Sequence, residues 1–144
     1  MKNYILYSYR RWPYAIRARM ALAYTDIQVE IREISLKDRP QELYHISPKG
    51  TVPVLVIDDK TIMEESLDII TWSLKTKDNQ TWLSKNPSQE MDLITANDTT
   101  FKKWLDRYKY HDKYPEGSKE SYRDKCDIIL SEYENKLGNT QYLL

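Results

Sequence analysis

The residues with the types and spacing to do chemistry gather in one stretch, Tyr7 to Leu22. It reads Tyr-Ser-Tyr-Arg-Arg-Trp-Pro-Tyr-Ala-Ile-Arg-Ala-Arg-Met-Ala-Leu. A prolyl ring at Pro13 suits the first position of a helix, where no N–H donor is needed. Ala15, Ala18 and Leu22 follow at helical spacing, with Arg17 and Arg19 on other faces. The first N–H groups of such a helix have no partner within it, and its end is electropositive. An end of that kind attracts an anion or stabilises a thiolate. A plain strand–loop–helix corner satisfies the same pattern, so this stretch alone leaves both readings open.

Two later stretches carry related chemistry. Thr51-Val52-Pro53-Val54-Leu55-Val56-Ile57 reads as a buried strand with Pro53 at its first residue, where a missing N–H is tolerated. A cis bond before Pro53 would turn the Val52 peptide outward and free its N–H and C=O for an extended, peptide-like ligand. A trans proline at a strand start is the commoner case. Glu65-Ser66 then precedes Leu67, Ile70 and Leu74 at helical spacing. Ser66 fits an N-cap. A second helix N-terminus there would offer a hydroxyl and free N–H groups to a carboxylate.

These residues need elements to hold them. Tyr4 to Tyr7 reads as a strand. Ile27, Val29 and Ile31 alternate with Gln28, Glu30 and Arg32, the period of a strand with one buried face. A short helical patch fits Gln41 to Tyr44, and Thr61-Ile62-Met63 a short strand. Residues 75–87 are polar and read as a linker anchored by Trp82-Leu83. Beyond Pro87 the pattern is helical, with Met91, Ile94, Asp98, Phe101, Leu105 and Tyr108 on one stripe. Pro115-Glu116-Gly117 breaks it. A second helix spans Lys119 to Leu137, its stripe formed by Tyr122, Cys126, Ile129, Tyr133 and Leu137, and Gly138-Asn139 ends it.

Composition narrows the classes. The 144 residues suffice for one domain of ordinary size, or a small domain with part of another. A formal net charge of zero argues against a nucleic-acid footprint. The basic-aromatic run Arg107-Tyr108-Lys109-Tyr110 is balanced by Asp106 and Asp112. One cysteine, Cys126, allows no intrachain disulfide and points to a reducing, cytoplasmic compartment. His45, His111 and Cys126 show no metal-ligand spacing. No apolar run approaches the ~18 residues of a membrane span, and a strand so near the N-terminus leaves no room for a signal peptide.

The order strand–helix–strand–helix, then Val52-Pro53, two strands and Glu65-Ser66 opening a helix, resembles the thioredoxin-like N-terminal domain of cytosolic glutathione transferases. The likeness covers about residues 3–75 and is strongest to omega-like and related bacterial members. Their Ser-x-Arg-x-Cys-Pro-Tyr/Phe-Ala motif corresponds here to Ser8-Tyr9-Arg10-Arg11-Trp12-Pro13-Tyr14-Ala15. The resemblance implies an α/β thioredoxin-like domain, a mixed four-stranded sheet with helices, over residues 1–76. A linker at 77–87 and an incomplete all-α C-terminal domain at 88–144 would follow. It implies glutathione as substrate or ligand, with no separate cofactor and no metal. Val52, beside a cis Pro53, would pair through its backbone with the cysteinyl part of glutathione. Glu65 and Ser66 would hold the γ-glutamyl end, Ser66 by hydroxyl and N–H to the carboxylate. Arg39, where omega-like members carry a basic residue, would meet the glycyl carboxylate.

Trp12 departs from the motif at its thiol position. Indole does not ionise near neutral pH and offers a single N–H donor. It forms no mixed disulfide, so omega-type thiol–disulfide chemistry is disfavoured. Cys126, on an apolar stripe, reads as an inert small hydrophobe rather than a substitute. Conjugation needs only a donor that favours the thiolate. Relatives use a Tyr or Ser near the end of the first strand, which makes Tyr7, Ser8 and Tyr9 candidates by position and the Trp12 indole another. The competing assignment makes Tyr7 core, Ser8 a turn residue and Trp12 an apolar plug.

Two function classes follow. One is a transferase-like protein that binds glutathione and conjugates its thiol to a small electrophile. The other is a non-catalytic binding or regulatory protein of the stringent-starvation type, acting through protein partners. Trp12 favours the second, as does a helical part shorter than the family's. Val52-Pro53 with Glu65-Ser66 favours a retained glutathione site. The mean hydropathy of −0.74 fits the lack of the family's most apolar helix. Helical stripes left open in this way lead to the expectation of a truncated product or a homodimer that buries them. Neither a nucleic acid nor a membrane is expected as a partner.

Overall fold

Strand β1 (Tyr4–Ser8) carries apolar side chains at successive positions, and successive positions face opposite sides of a sheet. Both sides of this strand must therefore be covered. The computed structural model describes residues 4–77, 82 and 86–143. It divides into two compact units, Met1–Leu83 and Ser84–Leu144.

In the first unit, α1 (Pro13–Tyr24) crosses from β1 to β2 (Val29–Glu33), which pairs parallel to β1 from Tyr4↔Val29 to Ser8↔Glu33. A parallel pair needs such a crossover. Helix α2 (Gln41–Ile46) leads to β3 (Val54–Asp58), antiparallel to β1. Then come β4 (Thr61–Met63), antiparallel to β3 with an irregularity between Val56 and Asp58, and α3 (Ser66–Thr76). The sheet order is β2-β1-β3-β4, the four-stranded mixed sheet of a thioredoxin-like domain.

The register sorts side chains into two cores. Leu6 pairs with Leu55 and Tyr7 with Val54. Leu6 and Leu55 join Ala18, Leu22 and Ile69, the contributions of α1 and α3. Tyr7 and Val54 join Ile34, Leu43 and Val52. Leu6, Leu43, Leu55 and Ile69 are fully buried, each stabilising the unit by about 1.5–3 kcal/mol through removal from water. Strand β2 is an edge, and there the expected one-sided burial holds only in part. Ile27 and Val29 pack on the Leu6 core, whereas Ile31 is 53% exposed. An outer strand has a neighbour on one side only, so its last apolar residue lies past the cover. The expected linker at 77–87 lies largely outside the described residues. Trp82 within it stacks on Tyr24 of α1, ring centroids 3.8 Å apart.

The second unit is helical. Helix α4 (Pro87–Thr95) passes into a six-residue π-helical turn, Ala96–Phe101, and on into α5 (Lys102–Lys109). A 3₁₀ turn at His111–Lys113 leads to α6 (Lys119–Leu137), capped by the Ser118 hydroxyl, which accepts from the Ser121 N–H at 3.1 Å. The stripe expected from Met91 to Tyr108 is half-buried at Ile94, Asp98, Phe101, Leu105 and Tyr108, through and beyond the π turn, and is exposed at Met91. On α6 the expected stripe is buried at Tyr122 and Cys126 and open at Leu137. Tyr122 donates to the Tyr114 carbonyl at 3.0 Å and stacks on Trp104. Gly138 ends α6, as expected, in a right-handed conformation, φ −64°.

Candidate functional site

The Trp12 N–H donates to the Tyr9 carbonyl at 3.1 Å and closes a β-turn with Arg10 and Arg11 at its centre. Arg19, one and a half turns into α1, reaches back to hold this turn. Its guanidinium donates to Ser8 Oγ at 2.6 Å, to the Tyr9 carbonyl at 3.4 Å and to the Arg10 carbonyl at 2.9 Å. From β2, Glu33 Oε1 accepts the Arg10 N–H at 2.5 Å. Trp12 is the N-cap residue of α1 with extended backbone, and no acidic residue occupies the first turn.

The four candidate donors of this corner are placed differently. Trp12 is 37% exposed. Ser8 is fully buried, its hydroxyl taken up by Arg19 beneath the turn. Tyr7 is also buried, and its hydroxyl donates to Glu42 Oε2 at 3.3 Å and accepts from Arg32 at 3.0 Å. The Glu30 carboxylate, and after it the Tyr7 hydroxyl, hold the Arg32 charge still more firmly than usual. Tyr9 is half-buried against the Tyr7 core. Of the four, Trp12 alone is exposed.

The loop before β3 turns at Gly50, whose φ of +61° lies in the left-handed region. The Val52–Pro53 bond is cis. Val52 packs its side chain into the Tyr7 core, and its backbone N–H and C=O enter no hydrogen bond among the described residues. Arg39 stands one residue before Pro40, the N-cap of α2. Its Nε is buried with no partner among the described residues.

At the start of α3 the expected cap is displaced by one residue. Glu65 is the N-cap, extended at φ −108° and ψ 137°, and Ser66 is the first helical residue. A residue already in the helix cannot fold its hydroxyl over the next N–H groups. Instead Ser66 Oγ accepts from Arg17 Nε at 2.9 Å. The Arg17 guanidinium lies over the Tyr14 ring, 4.7 Å from its centroid, and Tyr14 lies 6.1 Å from the Trp12 ring. Contacts thus run from Trp12 through Tyr14 and Arg17 to Ser66, joining the N-terminal halves of α1 and α3. Glu65 is exposed, and its carboxylate meets Lys49 at 3.3 Å. Lys49 also lies 3.8 Å from Glu64, which accepts from the Ser47 hydroxyl at 2.5 Å. The Gly50–Val52 loop is therefore tied to the Glu65-Ser66 turn.

Arg17, Tyr14 and Lys49 were not picked out by sequence reasoning. The available signal for Arg17 was its place one turn beyond Pro13, where its side chain runs along the helix start. The assembled corner has two electropositive helix starts, a guanidinium and a serine hydroxyl. That set accepts a carboxylate. The unpaired Val52 backbone suits an extended chain. No group of three or more His, Cys, Asp or Glu able to hold a metal occurs among the described residues.

Comparisons with known proteins agree with this geometry. A family model described as "Glutathione S-transferase, N-terminal domain" matches residues 6–82, just over half of the chain. A probable maleylacetoacetate isomerase of Caenorhabditis elegans is 34% identical over 85 residues, which is 58% of this chain and 39% of that protein. Glutathione S-transferase omega-2 of Homo sapiens is 36% identical over 62 residues, 43% of this chain and 26% of that protein. The chain spans two-fifths or less of the length of these curated relatives. Among solved structures, glutathione transferase Omega 3C from Trametes versicolor superposes with a TM-score of 0.82 at 16% identity, covering 99% of this chain and 65% of that one. Poplar glutathione transferase F1 gives 0.78 at 21%, covering 99% and 73%. At those identities the likeness is one of fold.

Proposed function

The chain belongs to the glutathione S-transferase family, and from that premise we propose that its first unit binds glutathione in the corner between α1, the Val52 loop and α3. The observation that carries this reading is Ser66 at the first position of α3 with the Arg17 guanidinium 2.9 Å from its hydroxyl. A γ-glutamyl carboxylate there accepts charge-assisted bonds from Arg17, a bond from Ser66 and the dipole of α3. Glu65, now paired with Lys49, takes the γ-glutamyl ammonium. The Val52 backbone beside Pro53 pairs with the cysteinyl part, and Arg39 meets the glycyl carboxylate.

That pose directs the thiol to the start of α1. There the helix end and the Trp12 indole N–H favour the thiolate, its proton passing to solvent, and the thiolate attacks a small electrophile, adding across an activated double bond or displacing a leaving group that departs with the bonding pair. Tyr9 backs the turn, and Ser8, bonded to Arg19, holds the turn in place. Glutathione is the substrate and no separate cofactor takes part. In this reading a linker at 77–87 joins a glutathione-binding domain to the helical one, and the protein works in the cytoplasm as a homodimer.

Calorimetric titration with glutathione tests the site. The parent binds in the millimolar range or tighter, and Ser66→Ala weakens it about tenfold by loss of one hydrogen bond to a charged group. No binding by the parent refutes the reading.

A further inference from the structure

Arg10 and Arg11 occupy the two central positions of the turn that precedes Trp12, and both are exposed. The backbone of Arg10 is fully used: its N–H goes to Glu33 and its carbonyl accepts from Arg19. Neither guanidinium has a hydrogen-bond or ion-pair partner among the described residues. Two unpaired positive charges are therefore carried by the turn that leads directly into the exposed Trp12, the residue at the proposed thiol position. Ile16, one turn along α1 from Trp12, is also exposed at 38%. Among the described residues, Glu33 is the carboxylate that meets this turn, and it faces the Arg10 N–H. The first turn of α1 adds no acid. The chain as a whole is neutral, so this is a local excess and not a general basicity.

We infer that the second ligand of the site, bound beside the glutathione sulfur, is an aromatic compound carrying an anionic group such as a carboxylate or sulfonate. The ring stacks on Trp12 and Ile16, and the anion meets Arg10 and Arg11. An arginine fork suits planar carboxylates and stacks on rings as well. The inference rests on the glutathione reading and adds to it the charge of the partner molecule.

A matched pair of conjugates tests it. S-(4-carboxybenzyl)glutathione and S-benzylglutathione share the same glutathione part and differ in one charge at the far end of the ring. Calorimetry on the parent is expected to show about fivefold tighter binding of the carboxylated conjugate, the scale of exposed charge pairs. The preference falls as salt rises, because exposed charges are screened. In the double variant Arg10→Gln/Arg11→Gln the two affinities converge. In Arg10→Lys/Arg11→Lys most of the preference returns, and in Arg11→Glu it reverses. Circular dichroism of each variant matching the parent excludes misfolding as the cause. Equal binding of the two conjugates by the parent overturns the inference and leaves the glutathione reading standing. A preference that survives Arg10→Gln/Arg11→Gln overturns the assignment to these residues. Failure of both conjugates to bind overturns the glutathione reading, and the inference falls with it.

Discussion

Replacement of Arg19 by alanine is the sharpest probe of the corner that carries the site. It takes the donor from three acceptors at once. They are not equal. The Ser8 contact is 2.6 Å long and its oxygen belongs to a fully buried residue. The Arg10 carbonyl belongs to an exposed residue, so water replaces its donor. The 3.4 Å contact to the Tyr9 carbonyl is too long to add much. The Ser8 bond therefore dominates, and a bond from a charged donor to a buried acceptor sets the loss at about 2–3 kcal/mol. Urea unfolding reads this as a fall in midpoint of about 1–2 M for an ordinary m-value. Hydrogen exchange places the loss in β1 and α1 amides. Ser8→Ala removes the same acceptor, so the double variant is less destabilised than the sum of the singles, with a coupling of about 1–2 kcal/mol. A loss for Arg19→Ala under about 0.5 kcal/mol, the range of ordinary surface changes, would refute the clamp. So would strict additivity with Ser8→Ala.

Two further outcomes follow from other residues. Burial, and after it the neighbouring Asp127, pushes the Cys126 thiol above its ordinary value of 9.0. The folded state therefore holds the proton more tightly than the unfolded one. Any stability this adds is intact below pH 9.0 and is lost as pH climbs through 9.0 toward the raised folded value. An aromatic disulfide reagent at pH 7 should label Cys126 rapidly in urea and very slowly in the native protein. Rapid native labelling would contradict its burial. At Gly50 an added Cβ would lie 2.3 Å from a Tyr44 ring carbon, at a φ of +61°. Gly50→Ala is expected to lower stability by about 1–3 kcal/mol, read as a urea midpoint, and an unchanged midpoint would show that Tyr44 and the loop yield freely.

Backbone features were the most legible in the sequence. Pro13 fixed the start of α1, because its ring admits few other places, and Val52-Pro53 and Glu65-Ser66 marked the loop and the helix start that the structure joins. What was lost depended on approach in space. Ser66 looked like a cap by type, yet Glu65 takes that position and Ser66 turns to Arg17. No periodicity announces a bond between α1 and α3. Tyr7 and Ser8 left two readings open, and the bonds their hydroxyls make, to Arg32 and Glu42 and to Arg19, join residues far apart in the sequence. The π turn at Ala96–Phe101 was illegible for another reason. A wide turn differs from an α turn in its hydrogen bonds and not in residue type, and the half-buried stripe from Ile94 to Tyr108 runs through it unbroken.

Among the described residues the sheet of the first unit has two outer strands, β2 and β4, and their sequences differ in how they discourage strangers. On β2 the outward row of peptide groups runs beside Glu30, Arg32 and Glu33, so an incoming extended segment would have to strip water from three charges. On β4 there are three residues only, and the ladder behind them is irregular between Val56 and Asp58, which leaves too little straight backbone to template another chain. Charge on one border and brevity on the other are both known safeguards against edge-to-edge aggregation. Both act on a sheet that exposes Ile31 on its rim. Of the two guards, the charged one is more easily removed: apolar residues at Glu30 and Arg32 would convert β2 into an adhesive border, at the further cost of the Arg32 bond to the Tyr7 hydroxyl.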